Sequence, residues 1–267
     1  MAEVLIINLA VTAGCLAALW GISIRIRDAS IIDIFWGPGF GIIALTTYGL
    51  TAAPGPAGLL LMAFTCLWSI RLGTHLAGRW LSHGRKEDAR YVAMRKNAGA
   101  SFGARSLFTV YGLQGILMWT ISLPLQIGIL QSAEASFGIL TALGCALFAL
   151  GFTIEALADV QLKDFKADPT NDEKILQSGI WSWSRHPNYF GNACLWWGLF
   201  LIAAEAPYGA FTALSPALMT FLLLRVSGVA LLERRMARAK PDYLDYQRSV
   251  NAFVPLPPSW KRHKRIG

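Results

Sequence analysis

Long apolar stretches dominate the chain, and short polar segments separate them. Seven of these stretches approach or reach the roughly 20 residues that a helix needs to cross the hydrocarbon core of a membrane. None alternates polar and apolar residues as the strands of a membrane β-barrel do. The pattern therefore predicts an all-α integral membrane protein with seven transmembrane helices. The predicted spans are Val4–Ile24, Ile31–Thr51, Ala57–Ala77, Leu107–Leu130, Phe137–Ala158, Tyr189–Ala204 and Tyr208–Leu232.

The basic residues are distributed unevenly between the two sides of these spans. Of the 24 Lys and Arg residues, 22 follow the first, third, fifth or seventh span, and only Arg71 and Arg225 lie inside a span. Because Lys and Arg are retained on the cytoplasmic side during insertion, this bias predicts an N-terminus outside and a C-terminus in the cytoplasm.

The composition agrees with a membrane location, since 54% of the residues are hydrophobic, 15% are charged and the mean hydropathy is +0.45. The net charge of +8 follows from the predicted topology, so we expect no nucleic-acid partner. The four cysteines lie singly within spans and the four histidines lack the spacing of metal ligands, so we expect no metal site. The sequence has neither G-x-G-x-x-G nor a P-loop motif, and loops and helix ends would have to bind any nucleotide.

Ionisable residues inside the spans are the first candidates for function, because burying a charge in lipid is costly. Asp33 begins the second span, and four-residue spacings place Arg71 with His75, and Glu155 with Asp159, on common helix faces. These groups could line a polar cavity open to the cytosol, or they could neutralise one another and hold the helices together. Further ionisable residues at helix ends are Lys163, Lys166, Arg225 and Glu233.

Two polar segments at the edges of the spans or between them are further candidates for function. The stretch Trp183-Ser184-Arg185-His186-Pro187-Asn188-Tyr189-Phe190-Gly191-Asn192 combines cationic, amide and aromatic groups next to an apolar helix, which indicates a cofactor-binding surface. The segment of residues 87–95 is either a solvated amphipathic surface helix or a lid that brings Tyr91 toward the cavity. His186 either takes part in binding or, with Pro187, shapes the start of the sixth helix.

Three motifs in the second half act together as a signature. They are Glu155-x-x-x-Asp159-x-x-x-Lys163, the run Gly179-Ile180-Trp181-Ser182-x-x-Arg185-His186-Pro187-Asn188-Tyr189-x-Gly191, and the residues from Arg225 through Glu233 to Tyr246. This region, residues 151–258, resembles the C-terminal domain of the steroid 5α-reductase family, in particular its bacterial branch. In the first half, Asp33-x-x-Trp36-Gly37 and Leu113-Gln114-Gly115 resemble the same branch. The resemblance implies one seven-helix domain, with residues 1–130 on the substrate side and residues 151–258 binding NADPH.

The resemblance also implies a reaction, the transfer of hydride from NADPH to the C=C bond of an α,β-unsaturated ketone such as a 3-oxo-Δ4 steroid or a similar lipid. In that family a carboxyl group and a tyrosine bind the ketone oxygen. Asp33 corresponds to the carboxyl group, and either His75 or Tyr91 takes the place of the tyrosine. The implied cofactor-binding residues are Asp159, Lys163, Lys166, Arg185, Asn188, Tyr189, Asn192, Arg225, Glu233 and Tyr246.

Two other classes of protein stay open. An S-adenosylmethionine-dependent methyltransferase of the isoprenylcysteine or phospholipid type shares the Arg-His-Pro run, and a membrane scaffold or transporter would need no cofactor. For the reductase we expect a lipophilic small-molecule substrate, the lipid bilayer as partner, and a multi-pass location in a bacterial inner membrane with the cofactor site facing the cytoplasm.

Overall fold

The computed structural model describes residues 1–257 except His83, Ser136, Ser227 and Pro241, and of Arg235 it describes the backbone but not the side chain. Pro258, where the second predicted region ends, lies outside the described residues, as does the rest of the C-terminal tail.

The described residues form helices and connecting turns, with no strand among them. Two π-helical segments interrupt the helices, at residues 107–112 and 222–226. In chain order the α-helices are α1 (Ala2–Ile26), α2 (Ile31–Leu50), α3 (Pro56–Ser82), α4 (Ala89–Ala98), α5 (Phe102–Ser106), α6 (Leu113–Ile121), α7 (Leu123–Leu130), α8 (Ile139–Ala167), α9 (Pro187–Ala204), α10 (Leu214–Phe221), α11 (Val229–Ala239) and α12 (Tyr243–Ser249).

Five helical stretches in the described part of the chain are long and apolar enough to cross a membrane. A sixth candidate, Ala89–Ile121 followed by Leu123–Leu130, bends by 41° at its break. Pro124 lies in the first turn after the break and has no N–H to continue the helical ladder, which accounts for the bend. The all-helical membrane class is thus confirmed. The count of seven spans, which relied on a separate span within α9, and the orientation of the termini stay predictions.

The chain divides into two compact units, and unit 1 contains residues 1–143 and 199–215. Its centre is the close packing of α2 against α3. A Cβ added to Gly37 would lie 3.1 Å from the carbonyl oxygen of Ser69, and one added to Gly73 would lie 2.9 Å from Pro38 Cγ. Because the two glycines have no side chains, the backbones of α2 and α3 can pack in direct contact. This packing fixes the position of the first turn of α2.

Unit 2 contains residues 144–198 and 216–267, of which the structure describes those up to 257. Its two longest helical pieces, from α8 and α9, also meet through glycines. A Cβ on Gly151 would lie 2.5 Å from the carbonyl oxygen of Gly191, and one on Gly198 would lie 2.6 Å from the backbone nitrogen of Phe148. This contact aligns the polar side chains of α8 with those of α9.

Candidate functional site

An aspartate and a tyrosine form the centre of a polar group in unit 1. Asp33 lies in the first turn of α2, and Tyr91 lies in α4 with its side chain buried. The Tyr91 hydroxyl donates a hydrogen bond of 2.8 Å to Asp33 Oδ1. Arg90 Nη2 lies 2.7 Å from Asp33 Oδ2, and Gln114 Nε2 donates to the Tyr91 hydroxyl over 3.4 Å. We call Asp33 and Tyr91 the carboxyl–tyrosine pair.

Helix α4 is anchored to the link between α1 and α2. Glu87 Oε1 accepts a hydrogen bond from the backbone N–H of Ala29 over 2.8 Å and another from Arg95 over 2.7 Å. Ser30 Oγ accepts a hydrogen bond from the backbone N–H of Asp88 over 3.3 Å. Because these bonds hold the start of α4 beside the start of α2, Tyr91 reaches Asp33 from a fixed position.

Asp88 caps α4 and orients Arg90. Its carboxylate accepts hydrogen bonds of 2.9 Å from both the backbone N–H and Nε of Arg90. Burial alone would raise the pKa of Asp88, but the hydrogen bonds and the charge of Arg90 outweigh burial and lower that pKa below its usual range. Asp88 is therefore ionised at neutral pH and helps to keep the Arg90 guanidinium beside Asp33.

Of the two candidates for the tyrosine role, Tyr91 makes a direct hydrogen bond to Asp33. His75 lies half-buried on α3, one turn after Arg71. Most of α4 is exposed, while Tyr91 is buried. The segment of residues 87–95 is therefore a surface helix that also directs one tyrosine inward.

Two carboxylates of α8 face two amides of α9 in unit 2. Asn192 Nδ2 donates to Glu155 Oε1 over 3.4 Å, and Asn188 Nδ2 donates to Asp159 Oδ1 over 3.3 Å. Both carboxylates are buried. No described residue makes a hydrogen bond to the buried Oδ1 of Asn192, so this group can accept a hydrogen bond from a ligand.

Arg185 is held by an ion pair and by backbone carbonyl oxygens at the end of α12 and just after it. Its Nε lies 2.6 Å from Glu233 Oε1, and its Nη1 donates to the carbonyl oxygen of Gln247 over 2.9 Å and to that of Val250. Its backbone N–H donates to the carbonyl oxygen of Asn251 over 2.9 Å. The buried guanidinium therefore joins the start of α9 to the last described segment of unit 2.

The same cluster includes His186 and two tyrosines. His186 Nε2 lies 3.3 Å from Glu233 Oε1, and its ring stacks on that of Tyr189 with centroids 5.7 Å apart. The Tyr246 hydroxyl donates to the carbonyl oxygen of Trp181, and burial raises the pKa of Tyr246. His186 thus takes part in the polar cluster and also precedes Pro187, the first residue of α9.

Three of the predicted cofactor-binding cations, Lys163, Lys166 and Arg225, are exposed. Among the described residues of unit 2, the buried carboxylates of Glu155 and Asp159 and the half-buried carboxylate of Glu233 accompany the buried guanidinium of Arg185, so this polar group is acidic in balance. Sequence reasoning missed Arg90 and Gln247, whose Nε2 donates to Glu233 Oε2 over 3.1 Å. For Arg90 a sequence signal existed, because this residue lies directly before Tyr91 and two residues after Asp88. For Gln247 no such signal existed.

These two arrangements suit different tasks. A tyrosine hydroxyl bonded to a carboxylate beside a guanidinium can donate a hydrogen bond to an oxygen on which negative charge develops, or can accept a proton through the carboxylate. The carboxylates and amides of unit 2 suit the hydroxyl and amide groups of a cofactor.

Comparison with known proteins assigns the family. The family model described as "Protein of unknown function (DUF1295)" matches residues 19–250. It is a different family from steroid 5α-reductase, so the expected membership of the steroid 5α-reductase family is wrong. The Arg-His-Pro run and the acidic spacing on α8 were too short and too widely shared to distinguish the two families.

Two curated proteins illustrate the similarity. Uncharacterized protein C594.04c of Schizosaccharomyces pombe is 26% identical over 259 residues, which cover 89% of this chain and 75% of that protein. Probable O-methyltransferase ustE of Ustilaginoidea virens is 34% identical over 73 residues, which cover 27% of this chain and 26% of that protein. No solved structure matches the chain.

Proposed function

The chain belongs to the DUF1295 family, and we propose that it is an integral membrane enzyme that reduces the C=C bond of a lipophilic α,β-unsaturated ketone with NADPH. The observation that carries the proposal is the 2.8 Å hydrogen bond from the Tyr91 hydroxyl to Asp33. It joins a proton donor to a carboxylate at the end of an apolar helix, where ionisable groups are rare unless they have a function.

The reaction needs a donor for the ketone oxygen. When a hydride adds to the β-carbon, the C=C electrons move toward the carbonyl and negative charge develops on its oxygen. A preorganised donor at that oxygen is usually the largest catalytic contribution. We assign this role to the Tyr91 hydroxyl, which can turn its hydrogen bond from Asp33 to the substrate oxygen.

Arg90 and Asp33 support this role. The Arg90 guanidinium lies 2.7 Å from Asp33. Its positive charge offsets the negative charges of the Asp33 carboxylate and of the developing enolate. Water then donates a proton to the α-carbon, the C=O bond re-forms as the enolate is consumed, and the hydrogen bond of Tyr91 returns to Asp33. Gln114, which donates to the Tyr91 hydroxyl, keeps the phenol ring oriented through both stages.

NADPH supplies the hydride when bound. Several polar groups of unit 2 support this cofactor. The free Oδ1 of Asn192 can accept a hydrogen bond from an amide or hydroxyl group, and Asp159 can accept one from a ribose hydroxyl. Exposed Lys163 and Lys166 can bind phosphates. We assign Arg185 and Glu233 to holding the start of α9 in place, and Asn188, Tyr189, Arg225 and Tyr246 stay in the proposed cofactor region.

A second function, O-methylation with S-adenosylmethionine, is favoured by the 73-residue similarity to a probable O-methyltransferase. The acidic balance of the buried groups in unit 2 also suits a sulfonium cation better than a chain of phosphates. In this case the carboxyl–tyrosine pair would take the proton from an acceptor hydroxyl.

One experiment separates the two functions. The protein is purified in detergent, and its thermal unfolding is measured with NADPH, NADH and S-adenosylmethionine, since a bound ligand raises the apparent stability. Stabilisation by NADPH, followed by the gain of two hydrogens in an enone probe, supports the reductase. Stabilisation by S-adenosylmethionine alone would exclude it, and stabilisation by none of the three would favour a scaffold or a transporter.

We also infer a topology for the proposed enzyme, with seven spans, the N-terminus outside and the polar cofactor region on the cytoplasmic side. The asymmetric distribution of Lys and Arg supports it. Reporter fusions after residues 27, 105 and 257 should all be active as cytoplasmic reporters, and one after residue 53 should not be. A cytoplasmic signal from the fusion after residue 53 would overturn the orientation.

A further inference from the structure

Two buried polar side chains of α1 belong to neither of the polar groups described above. Asn8 is 0% exposed and Thr12 is 4% exposed. Among the described residues, neither Asn8 Oδ1 nor Thr12 Oγ1 has a hydrogen-bond partner. An unsatisfied polar atom is costly inside a membrane-spanning helix, where no bulk water can reach it. These two atoms therefore indicate a ligand.

Asn8 is the end of a buried network that connects three helices. Its Nδ2 donates to Thr47 Oγ1 over 2.8 Å and to Gln126 Oε1 over 3.0 Å. Gln126 Nε2 donates to Ser122 Oγ over 2.8 Å and to the carbonyl oxygen of Trp119 over 3.2 Å. The network thus joins α1 and α2 to the break between α6 and α7. We call Asn8, Thr47, Ser122 and Gln126 the amide network.

The partners in the amide network fix the orientation of both amides. The carbonyl oxygen of Trp119 can only accept, so the amide nitrogen of Gln126 faces it and Gln126 Oε1 faces Asn8. The Thr47 hydroxyl donates to the carbonyl oxygen of Ile43 over 2.7 Å, so it also accepts from Asn8. Both hydrogens of Asn8 Nδ2 are therefore used, and Asn8 Oδ1 is the acceptor that remains.

The chemistry of the site favours a neutral hydrogen-bond donor over a cation. The oxygens of Thr47 and Gln126 are turned to Asn8 Nδ2 and cannot serve as ligands to a metal ion at the same time. The side chains bonded to Asn8 among the described residues are neutral, and burying a charge without a partner is costly.

Thr12 supplies the second contact for such a donor. It follows Asn8 by four residues in α1, so the two side chains lie on one face with Cβ atoms about 5–6 Å apart. Two hydrogen bonds of about 2.8 Å that share one oxygen span a similar distance. The Thr12 hydroxyl can either donate to that oxygen or accept from it.

We infer that a single buried water molecule bridges Asn8 Oδ1 and Thr12 Oγ1. Two polar partners are within the usual range for a buried water. Because both side chains are almost fully buried, the site suits one isolated oxygen rather than the end of a longer alcohol. The water completes the hydrogen bonding of Asn8 and so stabilises the link from α1 to the bend that follows Ser122. The inference does not depend on which reaction the protein catalyses.

The first test compares Thr12→Val with Thr65→Val in the full chain by thermal unfolding in detergent. Both changes replace a hydroxyl by a methyl group at nearly constant volume. Thr65 is the matched control, because it is 0% exposed on α3 and its hydroxyl donates to the carbonyl oxygen of Leu61 in the same helix over 2.7 Å. That carbonyl also accepts within the helix, so Thr65→Val should change the unfolding temperature little.

We expect Thr12→Val to lower the unfolding temperature by about 2–4 °C relative to the control, because the water loses one of its two partners. If no water is bound, the Thr12 hydroxyl has no partner, and its replacement by a methyl group should raise the unfolding temperature instead. An unfolding temperature equal to or above that of Thr65→Val would therefore overturn the inference.

A crystal structure of the wild-type protein, grown from a lipid phase, tests the site even if Thr12→Val fails to fold. We expect an isolated oxygen at about 2.7–3.2 Å from both Asn8 Oδ1 and Thr12 Oγ1. Density that continues into a lipid or detergent would identify an alcohol, and direct protein partners for both atoms would leave no role for a ligand. Wild type that is more stable in sodium chloride than in choline chloride at equal concentration would indicate a cation. Each of these results would overturn the bound water.

Discussion

The hydroxyl of Tyr91 donates a hydrogen bond of 2.8 Å to the carboxylate of Asp33, although 58 residues separate the two in the chain. The bond depends on the contacts of Glu87 and Asp88 with the link between α1 and α2, since these hold α4 beside the first turn of α2. The candidate chemistry of unit 1 therefore depends on the placement of a short, mostly exposed helix.

Tyr91→Phe tests the carboxyl–tyrosine pair most directly. The change removes one hydroxyl and keeps the buried ring, so we expect enone reduction to fall by about 100-fold or more, as on loss of one preorganised donor. NADPH affinity should change little. The measurement is NADPH oxidation in nanodiscs together with mass analysis of the product.

The control for that variant is Tyr48→Phe, because Tyr48 lies on α2 near its opposite end. Activity within about twofold of wild type is expected there, in line with the small effect of most substitutions away from special features. Asp33→Asn should resemble Tyr91→Phe. If Tyr91→Phe turns over the enone at the normal rate, the pair has no role in the reaction.

The Asp88 cap gives a prediction with a pH dependence. Asp88→Ala should cost about 1 kcal/mol by removing the cap of α4, and Asp88→Asn should retain most of the cap. Because the folded-state pKa of Asp88 is lowered, its ionised form stabilises the fold above the unfolded value of about 4. That contribution is lost as the pH falls through the lower folded value.

Thermal unfolding as a function of pH measures this effect. Wild type should lose stability relative to Asp88→Ala only below about pH 4, where the unfolded carboxyl takes up a proton. A constant difference between the two proteins from pH 7 down to pH 3 would contradict the lowered pKa.

Hydropathy alone predicted the helical membrane class, because a segment that crosses lipid must be apolar and must satisfy its backbone internally. It did not indicate that Pro124 divides the fourth predicted span, Leu107–Leu130, into two helices that meet at 41°. Charge counts could not decide whether Arg185 faces a cofactor or the protein. Its partners are an acidic residue on α11 and the carbonyl oxygens of Gln247 in α12 and of Val250 just after it. The contact with Gln247 joins residues 62 positions apart in the sequence, so no local pattern indicates it.

The sequence likewise offered two candidates for the tyrosine role, and the hydrogen bond of Tyr91 to Asp33 depends on the anchoring of α4, which no sequence pattern indicates. Family assignment failed for a different reason. In this chain the Arg-His-Pro run leads a polar loop into the apolar helix α9, and a run of three residues that meets this physical requirement does not specify a family.

The main effect of Arg185→Ala should be a loss of protein stability rather than a loss of ligand binding. The variant would leave the largely buried Glu233 without its guanidinium partner, with His186 and Gln247 still in contact. It would also remove the Arg185 donor from two carbonyl oxygens, and the total cost should be about 3 kcal/mol. Thermal unfolding in detergent measures it. Arg225→Ala, at an exposed cation, is the control and should change stability by about 0.5 kcal/mol or less. Equal stability of the two variants would show that the Arg185 contacts contribute nothing to the fold.

The contact between α8 and α9 predicts a contrast between two glycine-to-alanine changes. A Cβ on Gly191 would lie 2.6 Å from the backbone nitrogen of Glu155, whereas one on Gly14 in α1 has nothing within 4 Å. Gly191→Ala should therefore cost about 1–3 kcal/mol through forced separation of the helices, and Gly14→Ala should be neutral or slightly stabilising. Comparison of their unfolding temperatures decides this, and a neutral Gly191→Ala would contradict the close approach.

Asp159→Asn tests the assignment of the buried carboxylates of unit 2 to cofactor binding. The change keeps the shape of the side chain but replaces a charged acceptor with a neutral one, and charged acceptors make hydrogen bonds stronger by about 1 kcal/mol or more. The dissociation constant of NADPH should rise about tenfold, since 1.4 kcal/mol corresponds to that factor. Asp164→Asn, at an exposed position of the same helix, should leave it unchanged. If S-adenosylmethionine is the cofactor, Asp159→Asn should weaken the binding of S-adenosylmethionine, because it removes a negative charge beside a cationic ligand. NADPH should then give no binding signal with either variant. The same pair of proteins therefore distinguishes a misassigned carboxylate from a misassigned cofactor.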